Sequence, residues 1–334
     1  MIQPFRYIFA NTLEDLIDYS KEDNLLFLAG GTDLVPNLKN EVRQATSIVD
    51  LSRITELRQI KQEADGGLRL GSMLTLEQLM NSDLISGGYP ELRYAARRVA
   101  SPQIRNVGTL GGNLMQDRRC IYFNQSYNWR SSFDHCYKTG GEICHQVLKS
   151  KVCRATYYSD IATVLYALHA QASCIIDGKP ELLSIKDLLL RHADYNGRSA
   201  CEKLFIAEII IPARRGHGFF LKEAVRNAID FPLFNAAGSV EFNAAGGVAG
   251  YTLAVGAISP QPEYLVFTAK EMLDAKTAHK PMTEDFQAKL MQIALEEIKN
   301  KAVPILEDNI TIAAKRQLYS VLCPYLSALY NENY

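Results

Sequence analysis

The 334-residue chain carries no excess charge of one sign, since 36 Lys and Arg stand against 37 Asp and Glu for a formal net charge of −1. No summed field draws it to nucleic acid or to an anionic membrane, and neither is expected as a partner. It has no run of 18 apolar residues, and its first residues carry one Arg, early acids and no sustained apolar stretch. A membrane span and a secretory signal are therefore not expected, and the chain reads as cytoplasmic. The seven cysteines are an odd number in a chain without such a signal, which argues against a disulfide framework. No two of them are spaced C-x2-C, as the usual zinc ribbons and ferredoxins require. The G-x-G-x-x-G fingerprint and the Gly-Lys-Ser/Thr of a phosphate-binding loop are missing as well. Internal repeats and low-complexity tracts do not occur.

What is present is an average globular composition, with 47% apolar and 22% charged residues, on a length that suits about two domains. Asn11 or Thr12 caps a short helix with Leu13, Leu16 and Ile17 on one face. Leu25 to Ala29 is a continuous apolar run stopping at Gly30-Gly31, and Thr46 to Leu51 repeats it, as buried strands do. A hairpin is expected around Gly66-Gly67, helices over 75–80, 89–100 and 160–170, and a strand over 173–177. Residues 178–202 are polar and mixed, with Gly178-Lys179-Pro180 and 192–199 as loop candidates. Apolar content returns at Leu204, and the domain boundary is placed there. Segments 204–212, 219–225 and 238–257 read as antiparallel strands with a turn at 243–247, followed by helices near 283–299 and 311–330. The fold class is α+β.

Three constellations carry chemistry. Ala29-Gly30-Gly31-Thr32-Asp33-Leu34 follows a strand, and its paired glycines allow positive φ and open successive N–H groups to an anion; a plain tight turn reads the same way. Gly108-Thr109-Leu110-Gly111-Gly112-Asn113 offers a second glycine-rich loop with a hydroxyl and an amide. Two such loops suit a diphosphate held by backbone donors from both, as in a dinucleotide such as FAD bound without a Rossmann fingerprint. The third constellation is Cys120, Cys136, Cys144 and Cys153, spaced C-x15-C-x7-C-x8-C within 34 residues. Four thiolates hold either a tetrahedral zinc or a cubane iron-sulfur cluster, and spacing leaves the two equal. His135 and His145 each adjoin a cysteine as substitute ligands. Cys174, Cys201 and Cys323 lie in apolar or loop surroundings and are not expected to bind metal.

The AGGTDL loop, the SPQIRNVGTLGGN segment and Ser159-Asp160 before an apolar helix resemble the FAD-binding subunits of the xanthine dehydrogenase and carbon monoxide dehydrogenase group. The insertion from Arg119-Cys120-Ile121-Tyr122-Phe123-Asn124-Gln125 through Trp129-Arg130 to Cys153 resembles that of 4-hydroxybenzoyl-CoA reductase beta subunits. In those subunits four cysteines hold a [4Fe-4S] cluster. The resemblance implies a two-part FAD module of the vanillyl-alcohol-oxidase-like type over 1–200, with parts at about 1–55 and 56–200 and a cluster insertion at about 117–157. A C-terminal domain of three-stranded antiparallel sheet plus helices would follow over 201–334.

On this resemblance Ala29, Gly30, Gly31, Thr32, Asp33 and Leu34 line the diphosphate, and Thr109, Gly112 and Asn113 complete it. Gln116 falls at a cofactor-contacting position whose residue type varies. Asp160 matches an acid near the flavin, and Lys222 a lysine supplied by the C-terminal domain. Their plainer readings are a helix N-cap and a solvated strand residue. Cys120, Cys136, Cys144 and Cys153 become ligands of a [4Fe-4S] cluster. The chain has no C-x4-C-x2-C run and nothing that reads as a molybdopterin site. Partners are therefore implied: a molybdopterin-binding large subunit, a small subunit with two [2Fe-2S] clusters and a ferredoxin-like donor, in a heterotrimer or its dimer. A zinc-stapled scaffold and a flavin subunit exchanging electrons with NAD stand as the alternatives.

Overall fold

The computed structural model describes residues 2–195, 204–303 and 317–332. Strands β1 (Arg6–Phe9), β2 (Leu25–Leu28) and β3 (Ser47–Asp50) form a parallel sheet with β3 in the centre. The expected first helix is Leu13–Tyr19, capped reciprocally by Thr12 and Asp15. β1 has no sequence signature because it is a largely exposed edge strand, with no buried face to impose an apolar pattern.

A second sheet is antiparallel and contains β4 (Ile60–Gln62), β5 (Leu68–Gly71), β6 (Gln171–Ile176), β7 (Lys179–Ser184) and β8 (Leu204–Ile211), in the order β4-β5-β8-β6-β7. Two expectations change here. Of the two loop candidates in 178–202, the first is a turn at Gly178, φ +76°, whose Lys179 and Pro180 already belong to β7, and the second begins inside a helix, Ile185–Tyr195; 196–199 and Cys201 lie outside the described residues. Strand β8, expected to open the C-terminal domain, is instead the central strand of this sheet. A strand apolar on both faces needs cover on both faces. Leu204, Ile206, Ile209 and Ile211 enter the main core, while Phe205 and Ala207 pack on the core of the parallel sheet. Composition located the apolar stretch correctly but could not show which sheet it joins. By sheet membership the break falls after β8.

The third sheet comprises β9 (Gly216–Glu223), β10 (Phe234–Phe242) and β11 (Val248–Gly256), the three antiparallel strands expected, plus a two-residue β12 (Glu263–Tyr264) at the edge. Helices Val266–Thr277, Glu284–Lys301 and Leu322–Tyr330 cover it; residues 311–316 of the expected last helix lie outside the described residues. The helix at 266–277 went unforeseen. Its first turn is satisfied from a distance, because the buried Glu297 carboxylate accepts from the Phe267 and Thr268 amides at 3.0 and 2.8 Å. Helices Pro90–Arg98 and Asp160–Ala167 join the two halves, burying Leu92, Ala95, Ile161 and Leu165 in one core with Phe220, Ala237 and Ala254 of the third sheet.

Candidate cofactor site

Both glycine loops sit at the junction of these sheets. The first runs from β2 into helix Leu34–Lys39, and the second from helix Pro102–Val107 into helix Leu110–Leu114. Gly31 lies at φ +71°, where a side chain is disfavoured, and a Cβ on Gly30 would stand 1.9 Å from the Val107 carbonyl oxygen. The loops approach each other because Gly30 has no side chain.

Their backbone donors differ. No described residue accepts from the amides of Gly30, Gly31 and Thr32, which are therefore open to an anion. In the second loop the Leu110 and Gly111 amides donate to Leu74 and Ser72 carbonyls, and the Gly112 and Asn113 amides donate to the Thr109 hydroxyl and carbonyl. This corrects the expectation of a backbone cradle on both sides. The Thr109 cap and the Leu74 and Ser72 carbonyls engage the amides from Leu110 to Asn113, so among the described residues the second loop keeps the Thr109 amide open and otherwise offers side chains.

One two-lobed cleft collects every residue singled out for the cofactor. Ala29, Gly30, Gly31, Thr32, Asp33, Leu34, Thr109 and Gly112 line the first lobe, beside Phe27, Leu51, Met73 and Phe205. Thr32, Asp33, Thr109, Gly112, Asn113, Gln116, Asp160 and Lys222 line the second, beside Arg119, Ile229 and Phe231. Thr32, Asp33, Thr109 and Gly112 are common to both and form the waist. Apolar walls at both ends with open donors between them fit a dinucleotide. So do two buried nitrogens with no hydrogen-bond partner among the described residues, Gln116 Nε2 and Arg119 Nε.

Three of the expected residues are engaged with protein groups. Asp33 accepts from Arg119 at 2.7 Å and from the Asp117 amide at 2.9 Å, so its charge is balanced by protein groups, while burial pushes its carboxyl up. Asp160 is not the N-cap; Ser159 is, and Asp160 opens the helix with its carboxylate buried against Lys222 Nζ at 2.7 Å and Asn235 Nδ2 at 2.7 Å. Burial raises the Asp160 carboxyl against the pull of that ammonium. Lys222 is not solvated either. It is 9% exposed, and its ammonium also donates to the carbonyls of Arg98 and Asp230 at 2.9 and 2.8 Å. Three hydrogens meet three protein acceptors, so Lys222 orients the second lobe more directly than it offers a donor to its contents.

Sequence reasoning missed the charged network under the insertion. Asp117 is buried and bonded to Lys138 and, at 3.0 Å, to Arg43. Burial opposes its charge, but the two cations hold its carboxyl below the usual range. Behind it, His192 donates from Nε2 to the Gln116 carbonyl at 3.1 Å, and burial lowers its pKa to about 4. These residues are scattered through the sequence with no spacing to mark them. The doublet Arg118-Arg119 before Cys120 was the one local signal.

The insertion leaves and rejoins the fold through an antiparallel bridge between Arg119 and Thr156. Cys120, Cys136, Cys144 and Cys153 line a single small cavity together with Tyr122, Phe123, Lys138 and His145. Cys120 Sγ accepts from the Tyr122 amide at 3.4 Å and from Gln146 Nε2 at 3.3 Å. Among the described residues no three His, Cys, Asp or Glu side chains converge on one point as a single bound ion demands. Cys174 is buried on β6, where burial pushes its thiol up to about 12, and Cys323 is half-buried near the C-terminus.

The pattern of one family, described as the FAD binding domain in molybdopterin dehydrogenase, matches residues 3–214. The chain belongs to this family: it is an FAD-binding medium subunit of the xanthine, carbon monoxide and aldehyde dehydrogenase group, and thus a flavoprotein subunit of an oxidoreductase complex. It is 29% identical to the aldehyde oxidoreductase FAD-binding subunit PaoB of Escherichia coli K12 over 260 residues, 74% of this chain and 81% of that protein. It is 41% identical to the putative xanthine dehydrogenase FAD-binding subunit XdhB of the same organism over 106 residues, 31% of this chain and 36% of that one. Carbon monoxide dehydrogenase of Hydrogenophaga pseudoflava superposes with a TM-score of 0.73 at 17% identity, covering 99% of each chain. The family match ends at residue 214, just beyond β8. Among the described residues no helix is long and apolar enough to cross a membrane.

Proposed function

We propose that this chain is the FAD and [4Fe-4S] electron-transfer subunit of a molybdenum-containing complex resembling 4-hydroxybenzoyl-CoA reductase. The observation carrying this reading is that the four insertion cysteines line one cavity, on a segment whose neck is bonded to the first glycine loop. Thr32, Asp33, Thr109 and Gly112 would stand at the FAD diphosphate, Asn113 and Gln116 on the flavin side, and Asp160 with Lys222 behind it. A bound flavin supplies storage for two electrons with release one at a time, and a cubane supplies one-electron exchange. The chain's own task is to hold both groups, keep water from the cluster with Tyr122 and Phe123, and balance thiolate charge with the Lys138 ammonium.

A cubane presents an iron at each of four corners, one per cysteine, so its ligands stand farther apart than those of one zinc. Four cysteines lining one cavity supply the four thiolates that either group requires, and the resemblance of the insertion favours the cluster. Electrons would pass from a low-potential, ferredoxin-like donor towards two-iron clusters and molybdenum in a small and a large partner subunit, within a cytoplasmic heterotrimer or its dimer. Anaerobic purification tests the whole reading. The expected preparation is brown and brings down two further subunits, with about eight iron and about eight sulfide per FAD, about four of each held by this chain and the rest by the two [2Fe-2S] clusters of the small subunit. One zinc per chain, with no more than the about four iron that the two [2Fe-2S] clusters account for, would overturn the cluster, and reduction of the flavin by NADH would favour the NAD-linked alternative.

A further inference from the structure

Arg119 stands where the cysteine insertion meets the flavin-side lobe. One guanidinium nitrogen donates to Asp33 at 2.7 Å, and the guanidinium lies 5.5 Å from the Phe231 ring centroid. Its Nε–H is buried without an acceptor, although the residue lines the lobe. The other cations there are used: Lys222 by its three acceptors, and Arg226 by Asp230 and the Ile229 carbonyl. A buried charged donor left unpaired by the protein indicates an acceptor brought by a ligand.

We propose that Arg119 is a cofactor-binding residue, donating from Nε to an electronegative acceptor of FAD while its other nitrogen keeps Asp33 neutralised in the loop that receives the diphosphate. The insertion thereby contributes a side chain to the FAD site. The inference rests on the FAD reading of the cleft. The acceptor has two sources in FAD, a diphosphate oxygen or the carbonyl-bearing edge of the flavin ring. In either case the planar fork reaches two separated partners at a fixed spacing, which the point-like ammonium of a lysine does not reproduce.

The test uses the full-length protein freed of flavin and titrated with FAD and separately with ADP, together with the reduction potential of the rebound flavin. Arg119→Gln is expected to weaken FAD at least tenfold, and Arg119→Lys, which retains a cation beside Asp33, to weaken it less. Equal weakening of ADP assigns the contact to the diphosphate. Unchanged ADP affinity with a lowered flavin potential assigns it to the ring, because a nearby cation favours the added electron density of the reduced form. FAD affinity and potential within twofold and unchanged, respectively, in both variants would overturn the proposal while FAD binding itself stood. A wild-type chain that takes up no FAD would overturn the reading of the cleft and this inference with it.

Discussion

The ammonium of Lys222 donates to Asp160, to Arg98 and to Asp230, tying three elements together at one point. Replacing it with Met leaves the Asp160 carboxylate buried with Asn235 alone, a loss worth about 3 to 5 kcal/mol. Urea unfolding should show that drop, and Asp160→Asn in the same chain should restore part of it. A Lys222→Met protein as stable as its parent would mean the pair is solvated. His192 makes a second residue-scale prediction. Its native pKa, about 4, lies below the ordinary histidine value near 6.5, so the unfolded chain takes up a proton that the folded chain refuses. Stability due to His192 is therefore complete above about pH 6.5 and falls by about 1.4 kcal/mol per pH unit down to about pH 4. His192→Gln should flatten that fall between pH 7.5 and pH 5 in the same unfolding assay; an equally steep profile would assign it to other groups, such as His217, which burial also lowers.

Among the elements, the two loops and the insertion are one unit. Gly112 stands where a Cβ would lie 3.8 Å from the Ala29 Cβ and 2.9 Å from the Thr109 hydroxyl, so Gly112→Val closes the waist. Flavin content should fall with the far-ultraviolet spectrum unchanged; full flavin in this variant would move the diphosphate elsewhere. Gly31→Val adds backbone strain of about 1 to 3 kcal/mol, because its φ of +71° suits no branched side chain. For the insertion, serine at Cys120, Cys136, Cys144 or Cys153 should strip or degrade iron, and alanine at Cys174, Cys201 or Cys323 should not. Iron retained after two of the first four changes, or lost with Cys174, would refute the ligand set. Glycine loops independent of the insertion would leave FAD untouched by these changes. The bonds from Asp33 to Asp117 and Arg119 make them dependent, and FAD should be held less tightly when the insertion loses its order.

For the molecule as a whole, the cleft draws on all three sheets: β2 and its loop, the helices flanking β5 and β6, and Lys222 on β9. A ligand that bridges these pieces stabilises them together. Saturating FAD, at about a hundred times its dissociation constant, should raise stability by about 2.7 kcal/mol. Calorimetry with and without FAD checks this, and a transition indifferent to FAD would show that the cleft does not bind it.

Local chemistry decided much of this in advance. Strands β2 and β3 follow from apolar runs that end in glycine or acid, the helices at 13–19 and 76–80 from sequences that open on Thr12 and Thr75, and the cysteine insertion from four thiols crowded into 34 residues. The two glycine loops were legible as motifs of residue types, which the sequence carries wherever the fold sets them, and the fold brings both to one cleft. Three matters depended on tertiary structure. The sheet that takes β8 depends on which cores flank it, since an all-apolar strand fits any buried position. The use of the second loop's amides depends on the helix it begins. The meeting of Asp33 with Arg119, 86 residues apart, depends on how the insertion folds back over the first loop, because charged side chains separated by that much chain find each other only through the packing between them.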